Sequence, residues 1–237
     1  MIGKLKKLSK LASDKNYRQA VLKGSAAGIE HEKVLGKLEC NTVIDIGANK
    51  GQFALAARKC FPKAKIFSFE PLSHPAGIFE KVFSGDKLVK LYRCAISNES
   101  GEAEIHISHR EDSSSLLPIS DKQNEMFPGT YEIGVEKITM KKLSEVINTS
   151  DLAPNVLMKI DVQGFELSVL KGSIELFGDI KYIYAECSYI ELYKGQALFP
   201  EISAFLQSHG YYLSGEFNTS YDPDGKAIQS DFLFERK

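Results

Sequence analysis

The sequence predicts an α/β fold with a mostly parallel sheet flanked by helices. Three observations carry that expectation. The stretch Val43-Ile44-Asp45-Ile46-Gly47-Ala48-Asn49-Lys50-Gly51-Gln52-Phe53 runs from an apolar segment through an acid and two glycines into a helical pattern, the order strand, tight turn, helix. A second apolar segment, residues 65–69, follows at the spacing of a βαβ unit. Further short apolar segments recur down the chain, and several stop at an acid. Such a turn is where a sheet of this kind accepts a nucleotide-like ligand, and a cofactor-dependent enzyme and a binding module on the same scaffold both fit it.

Residues 1–40 read as an N-terminal helical extension to a domain spanning 41–237. Leu5, Leu8, Leu11 and Ala12 are spaced to share one helix face. Gly24 and Gly28 interrupt the next stretch, and 29–38 fits a short helix or a loop. This extension is expected to pack on the core and to close over a ligand. A strand over 42–46 leads into a helix over 52–59, stopped before Pro62, and a strand over 65–69 ends at Glu70-Pro71. A helix over 75–82 and a strand over 88–94 follow. The turn signal at 97–101 precedes alternation over 102–107, which adds an antiparallel strand pair beside the parallel core. Residues 108–130 have the weakest pattern, and a loop of that length calls for a functional reason. Strands are then expected over 133–138, 156–160 (ending at Asp161) and 181–185 (leading to Glu186). Short helices fit 143–147 and the stretch from Gly164 to 170, and a longer one fits 198–207. The last strands, near 211–214 and 231–234, flank the turn Asp222-Pro223-Asp224-Gly225.

With 237 residues and 43% apolar side chains, the chain can bury a sizeable core in one large domain. Thirty basic against 31 acidic side chains leave a net charge of -1, which argues against a nucleic-acid partner and against stable membrane insertion. The cluster Lys4, Lys6, Lys7 and Lys10 reads as a solvated helix face. Cys40, Cys60, Cys94 and Cys187 are dispersed and form no CxxC, so they are expected to be reduced and mostly buried, as suits a cytoplasmic location. The N-terminus lacks the apolar core of a signal peptide, and no run reaches bilayer-spanning length.

Four acids sit in or at the ends of strands: Asp45, Glu70, Asp161 and Glu186. Parallel strands gather their carboxyl ends at one edge, so acids far apart in sequence can meet there. Gly47 suits a tight turn or close backbone approach, and Gly51 lets a helix begin near the sheet. Glu70, ending the second strand, can accept hydrogen bonds from two neighbouring ribose hydroxyls. The turn is GxxxG, neither the GxGxxG of a dinucleotide site nor the GxxxxGK[ST] of a P-loop. S-adenosylmethionine (SAM) needs an adenosine pocket and room for a cationic methyl donor but no pyrophosphate turn, which favours a methyltransferase over an NAD-dependent dehydrogenase.

The order of motifs resembles the FkbM family of class I SAM-dependent methyltransferases over roughly residues 41–190. Val43 to Gly51 resembles its first SAM-binding motif, and Phe69-Glu70-Pro71 its ribose position. Cys94-Ala95-Ile96-Ser97 is similar to the segment after the third strand. Lys159-Ile160-Asp161-Val162-Gln163-Gly164-Phe165-Glu166, with Val169-Leu170-Lys171-Gly172, is close to the late motif, and Tyr184-Ala185-Glu186 to the next acidic strand end. The resemblance implies a Rossmann-like fold with a mostly parallel seven-stranded sheet, and transfer of the SAM methyl group, commonly to oxygen. Sugar hydroxyls in glycans or natural products are frequent family acceptors, so a saccharide or glycosylated small molecule is the expected partner. By the matched motifs, Asp45, Gly47, Ala48, Asn49, Gly51 and Phe53 shape or contact the SAM pocket. Glu70 with Pro71 holds the ribose hydroxyls, Ala95 lines the adenine region, and Asp161 borders the cofactor. The family often carries Glu where this chain has Gln163.

Methyl transfer needs the acceptor in line with the methyl–sulfur bond, and an alcohol acceptor benefits from a base. Asp161 is the first candidate base, with Glu186 an alternative or orienting carboxylate. Lys159 either tunes their charge or points away, and Glu166 suits a helix surface or a cap. His106 and His109, near the long loop, can act as bases when neutral. They make no metal motif, and Asp161 and Glu186 would need a third oxygen ligand to bind Mg²⁺, so no metal is expected. Ser113 to Ser115, Tyr131, Tyr189 and Tyr193 are candidate acceptor contacts. A non-catalytic SAM- or nucleotide-binding regulatory module and an N-methyltransferase are the alternatives, and a homo-oligomer is left open.

Overall fold

The computed structural model describes residues 10–236. Leu5, Leu8, Lys4, Lys6 and Lys7 therefore lie outside the described residues. Strands form at β1 (Thr42–Ile46), β2 (Lys65–Phe69), β3 (Val89–Tyr92), β4 (Ala95–Ile96), β5 (Gly101–Ser108), β6 (Glu132–Lys141), β7 (Val156–Ile160), β8 (Ile180–Ser188), β9 (Tyr211–Tyr221) and β10 (Ala227–Arg236).

A seven-stranded sheet has the order β3-β2-β1-β7-β8-β10-β9. The first five are parallel, and β10 runs antiparallel to both β8 and β9. This is the Rossmann-like class I methyltransferase architecture. Strands β1 and β7 are buried at every position, which is why their sequences are apolar runs rather than alternations. The order reverses between β1 and β7, since β2 and β3 extend to one side of β1 and the later strands to the other. A crevice opens beyond the carboxyl ends at such a switch point.

One sheet face carries Ile44, Ile46, Phe69, Met158, Ile160 and Ile183 into the larger core cluster. The opposite face carries Val43, Ile66, Leu157 and Tyr182 against Phe53, Ala54 and Ala57 of the helix Gln52–Cys60. The helix Lys15–Leu22, N-capped by Asp14, meets that second layer through Tyr17, whose hydroxyl donates to Glu32 at 2.9 Å. The expected ambiguity over 29–38 resolves into a 3₁₀ turn, Ile29–His31, and a short helix, Glu32–Leu35, with Val34 and Leu35 buried.

The strand expected over 88–94 is cut to Val89–Tyr92, because the chain leaves the sheet at Arg93 and Ala95–Ile96 joins a second sheet of order β4-β6-β5. Its antiparallel β5–β6 pair matches expectation, and β4 adds a third, parallel strand. The inner face buries Ala95, Ile105, Ile138 and Met140 with Leu72. The terminal strands are much longer than their apolar segments. Their extension is polar: Ser214 donates to Glu235 and Ser230 to Glu216 across the hairpin, so ladder bonds and side-chain pairs continue where hydrophobic alternation stops.

Residues 108–130 are folded rather than open. Ser115 bridges to His106, Ile119 bridges to Tyr193, and Ser120 caps the helix Asp121–Met126. These ties bring the segment against the switch-point crevice.

Candidate active site

Strand register arranges the site in two rows. Ser68 pairs with Asp45, Asp45 with Lys159, and Lys159 with Tyr184. Paired residues on neighbouring strands point to the same face, so these four form one row across the sheet. Two residues further on, at the carboxyl edge, come Glu70, Gly47, Asp161 and Glu186, and β10 sets Asp231 opposite Glu186. The edge is a line of carboxylates with a gap at Gly47. The gap is structurally required: Gly47 has φ +78°, and a Cβ there would lie 1.8 Å from the Asp161 carbonyl oxygen.

Above this edge is a cavity of about 240 Å³. Ala48, Asn49, Phe53, Glu70, Pro71 and Ala95 all line it, as do Gly47, Lys159 and Asp161. At one end Leu72, Cys94, Ala95, Ile96 and Ile105 make an apolar slot. The buried Glu70 carboxylate is clamped by backbone, Oε2 accepting from Asn49 N at 2.8 Å and Oε1 from Leu72 N at 2.9 Å. Burial pushes Glu70 up to about 7 against the pull of those two donors.

Two expected cofactor residues stand back from the cavity. Asp45 is fully buried, its oxygens without a hydrogen bond and the Lys159 ammonium 3.6 Å away. Burial raises the Asp45 carboxyl despite Lys159. Gly51, with φ +87°, faces Phe83 and Phe79, where a Cβ would come within 2.7 and 3.0 Å. It permits helix packing beneath the turn.

Lys159 does not point away. Its Nζ donates to the Gly47 carbonyl at 3.1 Å and lies 3.4 Å from Asp161 Oδ2. Burial opposes the ammonium, but Asp161 and Asp45 outweigh it and hold Lys159 above its usual value. Gln163, at φ 57°, joins the two candidate catalytic carboxylates: Nε2 donates to Asp161 Oδ1 at 2.8 Å and to Glu186 Oε2 at 2.9 Å. Tyr193 OH donates to Gln163 Oε1 at 2.7 Å, which sets the amide orientation. Gln229 donates to Glu186 Oε1 at 2.9 Å. Burial, then Asp161, Asp231 and Glu166, push Glu186 well above its ordinary value. Glu186 does not itself line the cavity. Glu166 is a cap and not a surface residue: it is 2% exposed, and its Oε1 accepts from Val162 N and Gly164 N.

His109 is not brought to Asp161. Its ring stacks on Tyr131 at 5.1 Å and lines a neighbouring space with Lys50, His74 and Arg110. His106 binds Glu132 at 2.9 Å. Of the candidate acceptor contacts, Ser114 and Ser115 line the main cavity, Ser115 Oγ donating to the Gln163 carbonyl at 2.6 Å. Tyr189 instead turns to Glu216, and Tyr131 is exposed. Among the described residues, no group of three or more His, Cys, Asp or Glu is arranged to hold a metal ion.

His31 was absent from the sequence expectations, yet it lines the cavity. Its Nδ1 lies 3.2 Å from Tyr184 OH and 3.6 Å from Asp231 Oδ2. Nothing in its local sequence marks it, since its partners lie 153 and 200 positions away. The only nearby sign is Gly28, over which the ring packs: a Cβ there would be 2.8 Å from His31 Cδ2.

Residues 45–213 match the family model described as the methyltransferase FkbM domain. The chain is 26% identical over 190 residues to 2-O-methyltransferase NoeI of Sinorhizobium fredii, covering 77% of this chain and 78% of that protein. It is 27% identical over 154 residues to hexuronic acid methyltransferase AglP of Haloferax volcanii, covering 62% of this chain and 56% of AglP. Among solved structures, precorrin-6y C5,15-methyltransferase from Geobacter metallireducens superposes with a TM-score of 0.47 at 12% identity, covering 87% of each chain.

Proposed function

The chain belongs to the FkbM methyltransferase family, and we propose that it is a SAM-dependent O-methyltransferase acting on a hydroxyl of a saccharide or glycosylated small molecule. The observation that carries this reading is the backbone-clamped Glu70 at the cavity wall, across the Gly47 gap from Asp161.

The cavity fits the cofactor. Glu70, with both oxygens oriented by backbone donors, would receive the two ribose hydroxyls. The slot of Leu72, Cys94, Ala95, Ile96 and Ile105 would take the adenine ring. Gly47, Ala48 and Asn49 offer close backbone approach, and Phe53 and Pro71 complete the walls. When bound, SAM supplies a methyl carbon attached to cationic sulfur. Asp161, side chain 35% exposed and held between Lys159 and Gln163, is a carboxylate offered to the hydroxyls of an incoming acceptor. Held so, it can orient the acceptor for in-line approach, where much of the rate gain of such a reaction arises. Lys159 keeps Asp161 in place and, through Gly47, ties it to the cofactor turn.

The saccharide assignment draws support from the names of the relatives, one a 2-O-methyltransferase and one a hexuronic acid methyltransferase. The long segment 108–130, through Ser114 and Ser115, would form the acceptor-side wall. Incubation of the purified protein with SAM and pools of sugars, glycosides, lipids and peptides, read by mass spectrometry, tests the reading. A gain of one methyl group on a sugar hydroxyl supports it. SAM binding without transfer to any pool would favour a regulatory module instead.

A further inference from the structure

Both candidate carboxylates of the motifs already hold partners. Asp161 Oδ1 takes the Gln163 amide and Oδ2 faces the Lys159 ammonium. Both oxygens of Glu186 take amide donors. Among the other titratable side chains of the cavity wall, His31 lies outside the matched region and is held by partners from distant parts of the chain.

The hydrogen bonds around His31 define its tautomer. Tyr184 OH donates to Asp231 Oδ2 at 2.9 Å, and Asn218 Nδ2 donates to the same oxygen at 2.8 Å. The phenol is buried at 2% exposure, and burial and Asp231 raise it above its ordinary value, so it keeps its proton. With that proton directed at Asp231, the Tyr184 oxygen is an acceptor, taking Asn218 Nδ2 at 3.3 Å on one side, and the contact with Nδ1 of His31 at 3.2 Å assigns the proton to Nδ1. The lone pair of the neutral ring therefore sits on Nε2, at the edge beside Gly28, and both residues line the cavity. The ring is also wedged edge-on against Phe53 and Tyr184, with centroids 5.2 and 5.7 Å away.

We propose that His31 Nε2 is the general base of the reaction, with Tyr184 and Asp231 as positioning residues that fix its tautomer and face the imidazolium once it forms. This rests on the methyltransferase reading above. The acceptor O–H proton passes to Nε2, the oxygen lone pair forms the C–O bond to the methyl carbon, and the methyl–sulfur pair stays on sulfur. The imidazolium then releases its proton to water. The reacting O–H points to Nε2, while Asp161 accepts from a neighbouring hydroxyl of the acceptor, a division that gives the N-terminal segment a catalytic part.

The test uses the full chain and an acceptor that the wild type methylates. His31→Gln is expected to lower the turnover about 100-fold or more, within the range for loss of a general base, while affinity for S-adenosylhomocysteine by calorimetry stays within about threefold. Nitrogen-15 shifts of the wild-type imidazole in the absence of ligand should report Nδ1–H, and Tyr184→Phe should mix the tautomers and reduce turnover. Product affinity falling in step with rate would make His31 a cofactor ligand and overturn the proposal, as would near-wild-type turnover in His31→Gln or a dominant Nε2–H tautomer. A folded wild type with no transfer to any acceptor removes the methyltransferase reading and this inference with it. An active wild type with an active His31→Gln removes only the inference.

Discussion

Asp161 and Glu186, 25 positions apart, are joined by one amide: the two hydrogens of Gln163 Nε2 reach Asp161 Oδ1 at 2.8 Å and Glu186 Oε2 at 2.9 Å. Adjacent strands set the two acids side by side, and a neutral double donor between them satisfies an oxygen of each. Replacing the donor by a carboxylate removes both bonds and sets a third acid between Asp161 and Glu186. Gln163→Glu is expected to destabilise the fold at pH 8 by about 2 kcal/mol, with a smaller loss at pH 5, where a proton restores one donor. Urea denaturation at the two pH values measures this. Equal stability of variant and wild type at pH 8 would remove Gln163 from the account.

Gly47→Ala places a Cβ 1.8 Å from the Asp161 carbonyl at a φ of +78°. The clash is with backbone, so a side-chain rotation cannot relieve it. A loss of about 3 kcal/mol or more is expected, in the range of strained-backbone and overpacking substitutions. Thermal denaturation within a degree or two of wild type would mean that the β1 turn and the end of β7 are not in this contact.

Glu166 is buried, and burial pushes it up from 4.5 to about 7 in the folded chain. Between those values the folded state holds a proton that the unfolded state has released, so this group's contribution to stability falls as pH rises from about 4.5 to about 7 and is constant above. The loss is bounded at about 3 kcal/mol. Glu166→Gln keeps an oxygen for Val162 N and Gly164 N, both of which bond to Oε1, and cannot ionise. The variant should therefore gain on the wild type as pH is raised from 5 to 8. A constant difference across that range contradicts the assignment.

Much of the cavity floor was legible because its signals are local. Apolar runs leading to Glu70, Asp161 and Glu186, and one carrying Asp45 within it, marked strands, and a parallel sheet collects their carboxyl ends. The glycine turn needed no register to be seen. What remained hidden depends on which face a side chain takes. Lys159 was ambiguous until pairing with Asp45 put both on the cavity side. Asp45 lies one row deeper than the cavity, and no local pattern distinguishes the edge row from the row behind it. Glu166 stayed open between a helix surface and a cap, because capping of a tight, buried turn cannot be separated from solvent exposure by spacing alone. His31 and Asp231 meet only through tertiary packing of the first and last parts of the chain. The segment 108–130 lacks periodicity because single bridges, caps and a helix of six residues hold it.

The central claim is that the Glu70 end of the cavity binds adenosine of SAM. Calorimetric titration of SAM into wild type and Glu70→Ala, with folding checked by circular dichroism, tests it most directly. The account predicts stoichiometric binding to the wild type and at least about tenfold weaker binding to the variant, the equivalent of about 1.4 kcal/mol from lost charge-assisted hydrogen bonds. A folded wild type that binds no SAM, or a folded Glu70→Ala that binds it equally well, would contradict the account.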